Sequence, residues 1–256
     1  MPDALSVAIA ASDMAHHRGD DVTFHRHMHG QLSVTLEGTL RLQTETGWWL
    51  ATPGNSVWVP PGLLHRALYT ECSRLINLRF RQGFERQLPE NSSLIVASNL
   101  LTELAKEALA IQHNDDPGTQ LELIAQLLHF QLRKQVLKTD LFVPEGRDKR
   151  LRLITSLLRE DPACSKTLVQ LAAVAFISPR TLGRLFESEI GMSFTRWRER
   201  MRIISSVEKL VNNEPITQVA YDMGYQSASS FTTAFTRIIG LPPGRYLKET
   251  FTPDKS

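Results

Sequence analysis

The chain predicts an α+β multidomain protein: a small N-terminal β-barrel followed by a helical pair, then an all-α C-terminal domain built from two helix-turn-helix units. Three observations carry that prediction. Residues 20–82 fall into short runs separated by turn residues; residues 92–137 change to a helical period; and the pattern of Ile216–Ile239 already occurs once between Thr167 and Gly191. At 256 residues, 42% hydrophobic and 22% charged, the chain is long enough for two globular domains. It contains no apolar run of the roughly 18 residues that a membrane span needs, and its start lacks a basic n-region, so a cytoplasmic protein is expected. In that compartment Cys72 and Cys164 are expected to be buried, unpaired thiols.

In chain order, the expected strands are Leu32–Leu36, Thr39–Thr44, Gly47–Ala51, Ser56–Val59 and Arg74–Arg81, the second and last alternating apolar with polar residues. Glu37-Gly38, Thr46-Gly47, Pro53-Gly54-Asn55 and Pro60-Pro61-Gly62 supply the turns between them. Short strands at this spacing indicate a small barrel or sandwich, placed at residues 1–90. The helical pair follows at 91–137. Leu101, Leu104, Ala105, Ala108 and Leu109 share one side of its first helix, Asn114–Gly118 breaks the period, and Leu121, Ile124, Leu128 and Leu132 resume it. The second helix is apolar around more than one face, so it should pack on the barrel, on its partner helix or on another subunit. Residues 138–148, with Pro144 and Gly146, read as a linker. A domain at 149–250 opens with an amphipathic helix, Lys149–Glu160, that turns Leu151, Ile154, Leu157 and Leu158 inward, and residues 251–256 form a tail.

The helix-turn-helix reading rests on residue types at fixed positions. In Ile216–Ile239, Val219 and Ala220 form the inner face of a short helix, and Gly224 stands where a tight turn needs positive φ. Ser227 is placed to N-cap the next helix, and Phe231 and Phe235 give that helix a buried stripe. Ser229, Ser230, Thr232 and Thr233 are left outward. The first unit repeats the scheme with Leu171-Ala172, Ser178, Leu182 and Phe186, so the units span 168–189 and 216–239. A helical connector, Thr195–Asn212, separates them; at 1.5 Å per residue it is about 27 Å long, somewhat short of the ~34 Å of one duplex turn. Charge divides along the same line. Glu145–Phe251 holds 16 Lys and Arg against 11 Asp and Glu, about +5, and Met1–Pro144 holds 12 against 15, about −3. The basic half is the helix-turn-helix half, the sign a phosphate-facing surface wants.

Residues 149–250 resemble the DNA-binding domain of the AraC/XylS family of bacterial transcription regulators. The resemblance is carried by Ile216, Val219-Ala220, Gly224-Tyr225, Ser227, Ser230-Phe231, Phe235, Arg237, Gly240, Pro243 and Tyr246. Two positions depart from the pattern. Pro242 stands where Ser or Thr is usual, and Phe176 occupies the turn of the first unit where Gly would be natural, which implies a turn without strong αL strain. The resemblance implies a sequence-specific DNA-binding regulator, an activator or a repressor, and not an enzyme. Its DNA-contacting positions fall here on Arg180, Thr181 and Arg184 in the first unit and Ser229, Ser230, Thr232, Thr233 and Arg237 in the second. Arginine can fork onto guanine O6 and N7, so the first unit is expected to discriminate bases and the second mainly to position the protein. Gly183, between the arginines, is a further departure. Arg196, Arg198 and Arg202 are expected to contact phosphates or carboxylates. Promoter DNA, a small-molecule effector, RNA polymerase and a second copy of the chain, joined through the helical pair, are the implied partners.

Within the barrel, Gly54-x5-Pro60-x-Gly62-x2-His65 resembles the second motif of the cupin fold, and His27-x-His29 the start of the first. Metal-binding cupins close three histidines and a glutamate on one ion. Here the glutamate position falls on Ser33 or Val34, Glu37 comes too late, and the asparagine expected after His65 is Tyr69. The residues leave three readings open: a metal on His27, His29 and His65, an effector pocket using those histidines with Gln31 and Trp58, or histidines that are purely structural. With the acidic ligand missing, no resident metal or cofactor is expected. A metal-dependent cupin oxygenase or isomerase is the alternative function. Trp48, Trp49 and Trp58 are either core or a platform for a small aromatic ligand.

Overall fold

The computed structural model describes residues 7–84, 86, 88–115, 117–134 and 141–251. Positions 135–137 of the expected second helix, 138–140 of the expected linker and 252–256 of the tail lie outside them. The chain divides into two compact units, residues 1–44 with 49–139, and residues 45–48 with 140–256.

The first unit is built on two antiparallel sheets. Strands β1 (Ile9–His16), β2 (Asp21–His25), β3 (Gly30–Glu37), β4 (Leu40–Thr44), β5 (Gly47–Ala51), β6 (Asn55–Val59), β7 (His65–Leu68), β8 (Ser73–Phe80) and β9 (Ser93–Val96) follow in chain order. One sheet runs β1-β8-β3-β6-β9; the other contains β5-β4-β7-β2 in that order. Period-two alternation gives the first sheet two unlike faces. Ile9, Ala11, Leu32, Val34, Trp58, Ile76, Leu78 and Phe80 lie on one face, in a single buried cluster with α1 (Asn99–Ile111) and α2 (Gly118–Lys134). On the other face the register aligns Ser12, Asn77, Ser33 and Val57 across four strands, beside a row of Ala10, Arg79, Gln31 and Val59.

Several elements differ from expectation. Ser93–Val96 falls in the stretch read as helical, yet it is a strand paired with β6, from Asn55↔Val96 to Trp58↔Ser93. Four apolar and small residues are too few for periodicity to separate strand from helix, and the free edge of β6 decides. Strands β1, β2 and β7 carry no clear alternation either. Helix α1 begins at the Ser98 cap and buries Leu101, Ala105, Ala108 and Ile111, while Leu104 and Leu109 pack half-buried at its margin. Leu121, Ile124, Leu128 and Leu132 of α2 are buried as expected. The three tryptophans read above as core or platform, Trp48, Trp49 and Trp58, are all buried. Neither cysteine is in a disulfide, but Cys72 is exposed where burial was expected.

In the second unit, residues 141–148 are not a free linker. Phe142–Pro144 forms a short strand, β10, whose Phe142 and Pro144 carbonyls accept from Arg200 Nε (2.5 Å) and Trp197 Nε1 (2.7 Å). The Glu189 carboxylate then accepts from the backbone N–H groups of Arg147 (2.6 Å) and Asp148 (2.9 Å). Helices α3 (Lys149–Glu160), α4 (Leu168–Val174), α5 (Pro179–Leu185), α6 (Phe194–Val211), α7 (Ile216–Asp222), α8 (Ala228–Ile239) and α9 (Pro243–Phe251) follow. Leu151, Ile154 and Leu158 of α3 are buried, Leu157 only half so. Helix α5 continues into a wider π turn over Phe186–Ile190 and ends at Gly191. No helix among the described residues is long and apolar enough to cross a membrane.

The two turns contrast. Gly224 adopts φ 76°, and a Cβ there would stand 2.9 Å from Arg202 Nη2 and 3.0 Å from the Ala163 carbonyl oxygen. Phe176, at the matching place in the first unit, adopts φ 54° and is 95% exposed, so the first turn is left-handed after all. The cause is the same in both units: the N–H of the following residue, Ile177 or Tyr225, must turn back onto Ala172 O (3.0 Å) or Ala220 O (2.9 Å). Gly224→Ala should therefore destabilise the helical unit by about 1–2 kcal/mol, and Phe176→Gly should stabilise it by about 0.5–1 kcal/mol, both read from urea unfolding of the full chain.

Candidate nucleic-acid interface and barrel histidines

The exposed face of α5 is made by its cap. Ser178 accepts from the Thr181 N–H at 3.1 Å, Pro179 starts the helix with φ already suited to it, and Leu182 and Phe186 are buried beneath. Arg180 and Arg184, four apart, stay outward and exposed. Among the described residues neither arginine has an ion-pair or hydrogen-bond partner. Other arginines of this unit are paired: Arg150 with Asp148, Arg159 with Glu145, Arg237 with Glu199 and Arg245 with Glu249. Thr181 is half-buried, its hydroxyl 2.8 Å from Ser178 Oγ, and so belongs partly to the cap. Gly183 leaves open space between the arginines, where a Cβ would meet only Leu168 at 3.8 Å.

Helix α8 presents Ser229, Ser230 and Thr233 to solvent, with Thr232 half-buried. Ser227 caps it by accepting from the Ser230 N–H at 3.2 Å, and Phe231, Ala234 and Phe235 are its buried stripe. Two outward hydroxyls donate to the helix itself, Ser230 Oγ to Ser227 O (2.9 Å) and Thr233 Oγ1 to Ser229 O (3.0 Å). A phosphate contact from either would exchange that bond for a charge-assisted one. Arg237 is largely exposed, and its pair with Glu199 is of the surface kind that contributes about 0–1 kcal/mol, so it can be exchanged for a phosphate. Arg202 departs from expectation. It donates to the carbonyls of Pro162 (2.7 Å) and Cys164 (2.9 Å) and ties the loop after α3 to α6. Arg198 donates to Lys166 O (3.0 Å) and lies over the Phe194 ring, whereas Arg196 is exposed.

In the barrel unit, the histidines that converge are not the expected set. His25, His27 and His65 bring ligand-capable nitrogens within 4.8 Å of one another. Their rings are 4.3 Å (His25 to His65), 4.9 Å (His27 to His65) and 6.1 Å (His25 to His27) apart. His29 is buried and stacks flat on His27 at 4.3 Å. Each converging ring has its Nδ1 on a main-chain oxygen: His25 on Thr23 O (2.8 Å), His27 on His29 O (2.7 Å) and His65 on Leu63 O (2.9 Å). Because a carbonyl only accepts, each Nδ1 carries the proton and each Nε2 keeps a free lone pair. Burial lowers the His65 pKa to about 4, and burial with the neighbouring His29 and His25 charges holds His27 below its ordinary value, so both rings are neutral at pH 7. Gln31 hydrogen-bonds Ser33 Oγ through its amide at 3.1 Å, on the sheet face shared with Asn77. Trp58 is not brought to this group; it lies among the helix-facing residues, with Nε1 donating to Pro89 O at 2.9 Å. His25 was legible in principle, since His25-Arg26-His27 has the same one-residue spacing as His27-Met28-His29.

Residues 13–154 match the family described as an AraC-like ligand binding domain, and residues 171–249 match a helix-turn-helix domain. The chain is 28% identical over 228 residues to the HTH-type transcriptional regulator NimR of Escherichia coli (strain K12), across 89% of this chain and 83% of that protein. It is 25% identical over 244 residues to the uncharacterized HTH-type transcriptional regulator YobQ of Bacillus subtilis (strain 168), across 90% of each. A structure of ToxT from Vibrio cholerae aligns at 15% identity and a TM-score of 0.42, covering 95% of this chain and 99% of that one. The ligand-binding family spans more than half of the chain and a helix-turn-helix domain follows it: the chain belongs to the AraC family of transcriptional regulators.

Proposed function

We propose that this regulator reads its promoter site chiefly through α5, with Arg180 and Arg184 on base edges, while Ser229, Ser230, Thr232, Thr233 and Arg237 on and beside α8 fix the register on the backbone. The observation that supports this reading most is the contrast in pairing. Carboxylates pair Arg147, Arg150, Arg152, Arg159, Arg237 and Arg245, carbonyls hold Arg198, Arg200 and Arg202, and of the three arginines without a side-chain partner among the described residues, Arg180, Arg184 and Arg196, two stand four apart on one short exposed helix. Thr181 contributes through the cap that orients them. The effector is a small molecule held on the polar inner face of the barrel, near His27, His65 and Gln31, and occupancy reaches transcription through RNA polymerase. No chemical step is assigned to the barrel.

The regulator acts as a homodimer in this reading. Helix α2 buries one face, yet Leu123, Leu127 and Phe130, at helical spacing on another, are 57%, 48% and 51% exposed. A second copy of the same stripe would remove that apolar surface from water. Leu127→Glu should convert the dimer to a monomer in light scattering, with circular dichroism unchanged.

Footprinting of the full-length protein on the DNA flanking its gene should show a protected site of about 20 base pairs, about two helical turns. On that site, Arg180→Ala or Arg184→Ala should cost about 1–3 kcal/mol and relax base preference, measured by fluorescence anisotropy at several salt concentrations. Equal weakening on every duplex would assign these arginines to phosphates instead.

A further inference from the structure

We propose that the barrel holds one divalent transition-metal ion of the imidazole-preferring class on Nε2 of His25, His27 and His65. Three observations converge on it. First, all three rings are oriented alike, Nδ1 to a main-chain carbonyl at 2.7–2.9 Å, the arrangement that fixes the tautomer of a ligating histidine and raises the basicity of its free nitrogen. Second, His27 Nε2 is buried without a hydrogen-bond partner, a lone pair taken out of water for which the fold itself offers no donor. Third, the register of β2 against β7 slips between Val22 and His25, and this irregularity brings His25 opposite His65. Ligand nitrogens in a tetrahedral site with metal–nitrogen bonds of about 2.0–2.1 Å lie about 3.4 Å apart, and one nitrogen from each of these rings already lies within 4.8 Å of the others.

Three neutral donors leave the charge of the ion uncompensated and at least one coordination position open. That position suits water or a donor atom of the effector, the role a fourth protein ligand would otherwise take. Zn, Ni, Cu, Co and Fe all accept imidazole, and the donor set by itself does not choose among them. His29, the histidine that motif spacing favours, stays outside the set because its ring stacks on the flat face of His27.

The inference does not depend on the DNA-binding assignments, and its failure would leave them untouched. The experiment uses the full-length protein without a histidine tag, stripped with a chelator, titrated with Co2+ and followed by its visible d–d absorption, with Zn2+ uptake measured by mass spectrometry. One equivalent should bind. His65→Ala and, separately, His25→Ala should each weaken binding at least tenfold, and the surface variant His113→Ala should leave it unchanged. His25 is half-exposed on an edge strand, so its variant keeps the test decisive if His65→Ala fails to fold by circular dichroism. No stoichiometric uptake, uptake that survives His25→Ala, or loss on His29→Ala but not on His25→Ala would overturn the assignment.

Discussion

Helix α6 has almost no face to give to water, and the helical unit is arranged around that constraint. Phe194, Trp197, Met201, Ile203, Ile204, Val207 and Leu210 are buried, and with Ser205, Ser206 and Glu208 the run from 203 to 208 is buried without a break. A helix that is buried all round must be enclosed by other elements. Helices α3, α7, α8 and α9 all pack on it. The first helix-turn-helix unit reaches it through Phe186, whose ring lies 5.4 Å from Phe194 and 5.6 Å from Trp197. The polar residues inside are satisfied locally, Ser206 Oγ donating to Ile203 O at 2.6 Å. One largely buried helix of 18 residues therefore sets the distance between α5 and α8. In the proposed reading, the fit of both helices to successive grooves of a duplex depends on that length more than on either unit alone.

The barrel obeys a different constraint, the alternation of faces along β3 and β8. One face must be apolar because α1 and α2 cover it, so Leu32, Val34, Ile76 and Leu78 have no freedom. The residues between them carry Gln31, Ser33, Thr35 and Asn77 on the inner face, where stability alone would favour aliphatic side chains. Asn77 Oδ1 and Thr35 Oγ1 are buried there without partners. Each such atom forfeits hydrogen bonds to water and costs about 1–3 kcal/mol unless something supplies them. A sheet that keeps two such atoms on one face suits the effector site proposed for it.

The sequence disclosed the helical half almost completely because its signals are local. Ser178 and Ser227 cap the helices they precede, Gly224 takes positive φ, and Phe231 and Phe235 are buried, each a consequence of neighbours within four residues. Where the decisive contact is distant, the reading fell short. Ser93–Val96 becomes a strand through β6, some 40 residues away, and residues 142–144 are held by Trp197 and Arg200 across more than 50. The histidine set failed for a related reason. Two overlapping one-residue spacings share His27, and only the β2–β7 register, with its slip, chooses His25 over His29. Phe176 shows the converse limit. Its residue type argued against a left-handed turn, but the return of the Ile177 N–H to Ala172 imposes that backbone whatever the side chain.

Charge was the least legible property, since counting cannot say which charges remain free. An excess of about +5 over a hundred residues would be a weak field if spread evenly. It is not spread evenly. Glu145, Asp148, Glu199 and Glu249 each neutralise an arginine, and Asp222 and Glu214 both hold Lys209. These six carboxylates are held in ion pairs, and the positive charge without such a partner includes both arginines of α5. A surface pair that must be broken weakens DNA binding by whatever it contributed to the free protein, whereas in the proposed reading Arg180 and Arg184 meet DNA with no such debit. Their guanidinium groups also retain all their donors for a bidentate contact. On that proposal, discrimination between base pairs depends on where the protein has withheld carboxylate partners as much as on where it has placed arginines.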